Sequence, residues 1–147
     1  MDCGWTQSVN DLVAFHDVTV TADDIAVFVR LSGDDYEAHT DPDIMAKTSF
    51  GGIIAHGALL VGYMSAAGTR AIRLARERGN DCSPVSLGYE AMRFVAPVYP
   101  GDSLRVAYRV KSIDETRRRS TAVIEITNQK DAVVAVADHI MKWLKTE

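Results

Sequence analysis

The chain has 147 residues, 47% of them hydrophobic and 24% charged, and a net charge of −4. That is one ordinary globular domain over residues 1–147 with apolar surface for a single core, and the negative balance argues against nucleic acid, whose phosphates need a basic surface. The two cysteines, Cys3 and Cys82, are far apart and suggest neither a disulfide framework nor a metal site, which fits a reducing, cytoplasmic setting.

Residues 1–14 read as a loose N-terminal segment, and with no basic stretch ahead of an apolar run they give no signal peptide. Residues 15–20, FHDVTV, make a short edge strand. Thr21 followed by Asp23 and Asp24 predicts an N-cap with acids in the first turn, where the helix macrodipole favours them. Ile25, Phe28 and Val29 then form one helical face, and Ser32-Gly33 is a natural stop. Asp34 falls just past that stop. His39 lies in the following connection, and Asp41-Pro42 opens another helix with Asp as cap and Pro at the first position.

Residues 58–67, ALLVGYMSAA, are apolar on nearly every side, which predicts a helix wrapped by other structure for about three turns. Arg70, Arg73, Arg76 and Arg78 follow it at the negative end of its dipole. The apolar stretch 53–68 is interrupted by His56 and is shorter than the roughly 20 residues of a membrane span, so no membrane partner is expected. After Pro84 the period changes to two. Strands are predicted over 86–95, 102–110, 120–127 and 132–143, with turns at Tyr99-Pro100-Gly101, Asp114-Glu115-Thr116 and 128–131. Short connections imply antiparallel neighbours, and one long buried helix needs a sheet curled around it.

The stretch GDDYEAHTDPDIMAKTSFGGIIAHG, residues 33–57, concentrates the chemistry. An Asp can hold or deprotonate a water, a His carries a proton near neutral pH, and the first N–H groups of a helix lack partners. Together they suit a carbonyl whose oxygen gains charge. Taken singly, each has a structural explanation: Gly33-Asp34 as a cap and turn, Asp41-Pro42 as a cap, His39 as a surface residue. His56 orders the loop before the helix or lines a substrate pocket. His139 reads as a structural pair with Asp138. His39, Asp41 and His56 follow no zinc spacing, so no metal is expected, and GxSxG, GKS/T and GxGxxG motifs are lacking.

GDDYEAHTDP, FGGIIAHG and APVYPGDSLRV, in this order and spacing, resemble the MaoC-like dehydratases, the family of (R)-specific enoyl-CoA hydratases. The resemblance implies an α+β hotdog fold, a curled antiparallel sheet wrapped around a long central helix. It implies a hydro-lyase acting on an enoyl-CoA without cofactor, as a homodimer or dimer of dimers. Asp34 and His39 map onto the family's catalytic pair, and the Gly57 N–H onto its oxyanion donor. Tyr36, Phe50, Ile53, His56 and Tyr63 are then candidates for the substrate pocket. Many members carry Asn-Pro where this chain has Tyr36-Glu37, a departure that bears on the substrate. Arg70, Arg73, Arg76, Arg117, Arg118, Arg119 and Lys130 are candidates for the CoA phosphates. An acyl-CoA thioesterase, recognised by release of free CoA, and a non-catalytic acyl-CoA-binding subunit are the rival readings.

Overall fold

A computed structural model describes residues 3–145. Five antiparallel strands form one sheet in the order β1-β3-β4-β5-β2, with β1 Val13–Thr19, β2 Ser83–Phe94, β3 Ser103–Asp114, β4 Arg119–Thr127 and β5 Val133–Leu144. The alternation predicted for the last strands is realised. In β4, Ser120, Ala122, Ile124 and Ile126 are buried while Val123 and Glu125 are exposed, as a sheet with one face on a core requires.

From Cys3 onward the N-terminal segment is not loose, residues 1 and 2 lying outside the described residues. A one-turn helix, α1 Trp5–Val9, buries Trp5 and Val9, and Leu12 is buried after it. Trp5 stacks on Trp143 with ring centroids 6.4 Å apart. Arg78 donates to the carbonyls of Ser8 and Asn10, and Asn80 donates to the Ser8 hydroxyl at 2.8 Å. The cysteines are not free either. Cys3 and Cys82 are joined as a disulfide across a sequence separation of 79. Spacing along the chain carried no sign of this, because α1 folds back to the first residues of β2.

Helix α2 runs Ala22–Ser32 as predicted, and its caps explain why. The Thr21 hydroxyl accepts from the Asp24 N–H, the Asp24 carboxylate accepts from the Thr21 N–H, and Gly33 ends the helix at φ 80°. A short α3, Glu37–Thr40, and α4, Pro42–Ala46, follow.

The long helix α5 spans Gly57–Glu77. Leu60, Met64, Ala67, Ala71 and Ala75 face the sheet, yet Ala58, Gly62, Ser65 and Thr69 form an open stripe. The prediction of a helix wrapped on every side is therefore corrected. These open positions are small, so they read as apolar in sequence without demanding cover.

The strand order also departs from a simple meander. β2 pairs with β5 and not with β3, which takes β1 as its other neighbour. Residues 95–102 cross from the β2 edge to β3, next to the opposite edge, and are stitched on the way: Val95 N–H to Val134 O at 2.8 Å, Ala55 N–H to Val98 O at 2.7 Å, and Gly101 N–H to Val20 O at 2.6 Å. This crossing passes the start of α5 and so reaches the site.

Beneath the middle of α5, His139 is buried. It is not paired with Asp138, because consecutive strand residues point to opposite faces. Asp138 accepts from Lys111 at 2.6 Å, while His139 lies between the Ser86 hydroxyl at 2.7 Å and the Tyr108 hydroxyl at 2.8 Å. Burial pushes the His139 imidazole down to about 4 from its usual 6.5 and raises the Tyr108 phenol above its ordinary value. A protonated His139 is favoured only in the unfolded chain between those two values. Its contribution to stability is complete above pH 6.5 and falls away as pH drops toward 4, by on the order of 3 kcal/mol. Melting temperatures measured from pH 7 to pH 4 are expected to fall across this window, with a shallower decline for His139→Gln; equal slopes would contradict the assignment.

Candidate active site

Asp34 and His39, five positions apart, meet His56 at the N-terminus of α5. One ring nitrogen each from His39 and His56 and a carboxylate oxygen of Asp34 lie within 4.8 Å of one another. Local structure sets each in place.

Asp34 follows the left-handed Gly33, and its N–H is held by the Ser32 hydroxyl at 3.1 Å, which itself bonds back to Phe28 O at 2.6 Å. The carboxylate is left exposed. His39 stands on α3 and not in an irregular connection. Thr40 closes that turn by bonding the carbonyls of Asp35 and Tyr36 at 3.0 and 3.2 Å. The next strut runs from Ile54 N–H to Ala38 O at 3.1 Å.

The tautomers follow from the partners. His39 Nδ1 lies 2.7 Å from Ile54 O. A carbonyl only accepts, so Nδ1 carries the proton, and in the neutral ring the lone pair lies on Nε2. His56 Nε2 likewise donates to Asp34 O at 3.0 Å. The two imidazoles stack with centroids 3.6 Å apart and planes 23° from parallel, and the Phe28 ring meets His56 at a 58° tilt, 4.7 Å away. Metal bonds to imidazole lie in the ring plane at about 2.1 Å. Two rings stacked this way do not share such a point, so the trio is not arranged as a metal centre.

Both α2 and α4 carry side-chain N-caps, from Thr21 and Asp41. α5 does not: His56 occupies the cap position without a side-chain bond to the helix. The first N–H groups of α5, beginning with Gly57, therefore have no side-chain cap at the positive end of a 21-residue helix. A Cβ on Gly57 would come within 2.6 Å of the Phe94 ring.

Two cavities flank His39. One, of about 340 Å³, is lined by Phe50, Ile54, Gly57, Leu60, Phe94 and Pro97 among others; the second, of about 360 Å³, lies under α2 against Ile25, Val29, Ile53 and Pro100. Phe50 and Ile53 thus line one cavity each. Tyr36 is exposed, edge-on to His39 at 6.1 Å. Tyr63 is half-buried beside His16 at 6.5 Å, and burial raises its phenol above the ordinary value. Neither tyrosine lines these cavities. His56, 1% exposed, stacks on His39, donates to the Asp34 carbonyl and lines neither cavity.

Sequence reasoning missed the wall formed by Phe94 to Val98, which only the crossing of residues 95–102 brings here. It treated Tyr99-Pro100-Gly101-Asp102 as a turn, and the Asp102 carboxylate does accept from Tyr99 N–H at 2.9 Å. That turn also reaches the site, because the Tyr99 hydroxyl donates to Phe50 O at 2.9 Å. Among the predicted phosphate-binding cations, Arg117 pairs with Asp114 and Arg118 is bound to Trp143 O at 2.7 Å.

The family model for the MaoC like domain matches residues 6–134. The chain belongs to the MaoC-like dehydratase family. Among its relatives, Protein MaoC of Klebsiella aerogenes is 35% identical over 106 residues, covering 69% of this chain and 28% of that protein. The chain therefore spans little more than a quarter of that relative. An (R)-specific enoyl-CoA hydratase of Aeromonas caviae is 27% identical over 121 residues, covering 82% of this chain and 84% of the relative. The structure of R-hydratase PhaJ1 from Pseudomonas aeruginosa superimposes with a TM-score of 0.76 at 26% identity, covering 92% of this chain and 82% of that one. This MaoC-like chain has the hotdog fold, with the curled sheet holding α5. Among its described residues no helix is long and apolar enough to cross a membrane.

Proposed function

We propose that this MaoC-like protein is an (R)-specific enoyl-CoA hydratase, adding water across the 2,3 double bond of an enoyl thioester or removing it in reverse. The observation that carries the reading is His39 with Nδ1 committed to Ile54 O, its free Nε2 grouped with the Asp34 carboxylate at the uncapped start of α5.

Water is a poor nucleophile and the β-carbon of an enoyl thioester a weak electrophile, so both need help. Asp34 and His39 bind one water between them, and one of the pair takes its proton as the oxygen bonds to the β-carbon. A proton returned through the same pair completes addition at the α-carbon. Charge developing on the thioester oxygen meets the Gly57 N–H. One such donor is worth about 3–4 kcal/mol and general acid–base help about 10²–10⁴-fold. The apolar cavities on either side of His39 suit an acyl chain and the arm of its carrier.

A homodimer fits two features of the protomer. β2 is an edge strand with exposed Val85 and Leu87, and α5 presents its open stripe of small residues.

The product tests the reading. Crotonyl-CoA incubated with the protein is expected to give 3-hydroxybutyryl-CoA that an (R)-specific dehydrogenase oxidises and an (S)-specific one does not. The opposite preference, or free CoA as product, would overturn it.

A further inference from the structure

The end of the molecule away from the site holds a second reactive group. Cys3 and Cys82 have Cα atoms 5.5 Å apart, the ordinary spacing for a bridge. The Arg118 guanidinium lies 3.2 Å from Cys3 Sγ and 3.0 Å from Cys82 Sγ. It is held there by Trp143 O at 2.7 Å and by the face of Trp5 at 5.7 Å. A cation fixed beside two sulfurs stabilises thiolates, the form that attacks disulfides. Cys3 is half-buried and Cys82 is 3% exposed, so the two differ in access.

We propose that Cys3 and Cys82 form a reversible thiol–disulfide exchange site, taking oxidising equivalents from small disulfides such as glutathione disulfide. The Cys3 thiolate attacks one sulfur of the small disulfide, forming a mixed disulfide and expelling one thiolate. The Cys82 thiolate then attacks Cys3 Sγ and expels the second. Two protein thiols are oxidised, one small disulfide is reduced to two thiols, and the two protons pass to the released thiolates.

The consequence lies in stability and not in chemistry at the candidate site. The bridge ties α1 to the start of β2, adding to the Asn80 bonds to Ser8 Oγ and from Cys82 N–H, both at 2.8 Å. α5 separates this end from Gly57 by about 30 Å at 1.5 Å per residue. A cross-link closing a loop this long constrains the unfolded chain strongly.

The full-length protein equilibrated in graded mixtures of reduced and oxidised glutathione tests this. The expected result is a reversible passage from two thiols to none, counted with maleimide after quenching and unfolding, with a mass about 2 Da lower and a melting temperature higher by on the order of 10 °C in the oxidised form. Cys3→Ser should fold and show no redox dependence of melting. Two thiols at every mixture by the same count would overturn the proposal, as would oxidation to a disulfide-linked dimer or a stable glutathione adduct. Because the readouts are thiol count, mass and melting, they stand or fall separately from the hydratase reading.

Discussion

Asp34→Asn is expected to lower kcat/KM for hydration of an enoyl-CoA by about 10²–10⁴-fold while leaving the melting temperature within about 1–2 °C. On the proposed reading, the substitution removes the negative charge that helps His39 hold and activate the water, and it keeps the size of the side chain. The fold should tolerate it, because the hydrogen bonds made by residue 34 to its neighbours use its backbone: its N–H binds the Ser32 hydroxyl and its carbonyl accepts from His56. The exposed carboxylate supports no helix, unlike Asp24 and Asp41, which cap α2 and α4. Activity and melting curves on the same preparation check both halves. A folded Asp34→Asn protein with full activity would remove Asp34 from the chemistry.

His56→Ala should damage both stability and rate, for reasons that a pocket-lining residue would not share. The side chain is 1% exposed, stacks on His39, meets the Phe28 ring at a tilt, and donates to Asp34 O. Removing it leaves a cavity and an unsatisfied carbonyl, a loss of about 2–5 kcal/mol by analogy with other large-to-small core changes. It also frees the His39 ring and the Asp34 backbone together, and misplacing reacting groups by about 1 Å can cost on the order of 10²-fold in rate. The loss is expected in kcat more than in KM. His56→Phe, which keeps a ring against His39 but cannot donate to Asp34 O, should recover much of the stability and little of the rate. A KM effect alone in both variants would instead make His56 a substrate contact.

Much of this site was legible because its signals are local. The start and stop of α2 are written in Thr21, Asp24 and Gly33, residues that act within one turn of themselves. Asp34 and His39 are five positions apart across a cap and a single turn, so their neighbourhood survives folding. Partners far apart in sequence were hidden. Nothing local in β2 states that it pairs with β5, and the wall of Phe94 to Val98 follows from that pairing and the crossing after it. The Cys3–Cys82 bridge and the Tyr108–His139 hydrogen bond are likewise contacts through space between segments that carry no shared pattern. Helix α5 misled differently: Ala58, Gly62 and Ser65 satisfy an apolar pattern but are small enough to remain open.

Crotonyl-CoA is followed at its enoyl thioester absorbance, with a thiol reagent present, for the unaltered protein and for a folded His39→Ala variant. A hydratase that uses His39 gives loss of absorbance without thiol release, slowed about 10²–10⁴-fold by the substitution. Thiol release, or hydration at an undiminished rate in His39→Ala, would contradict it.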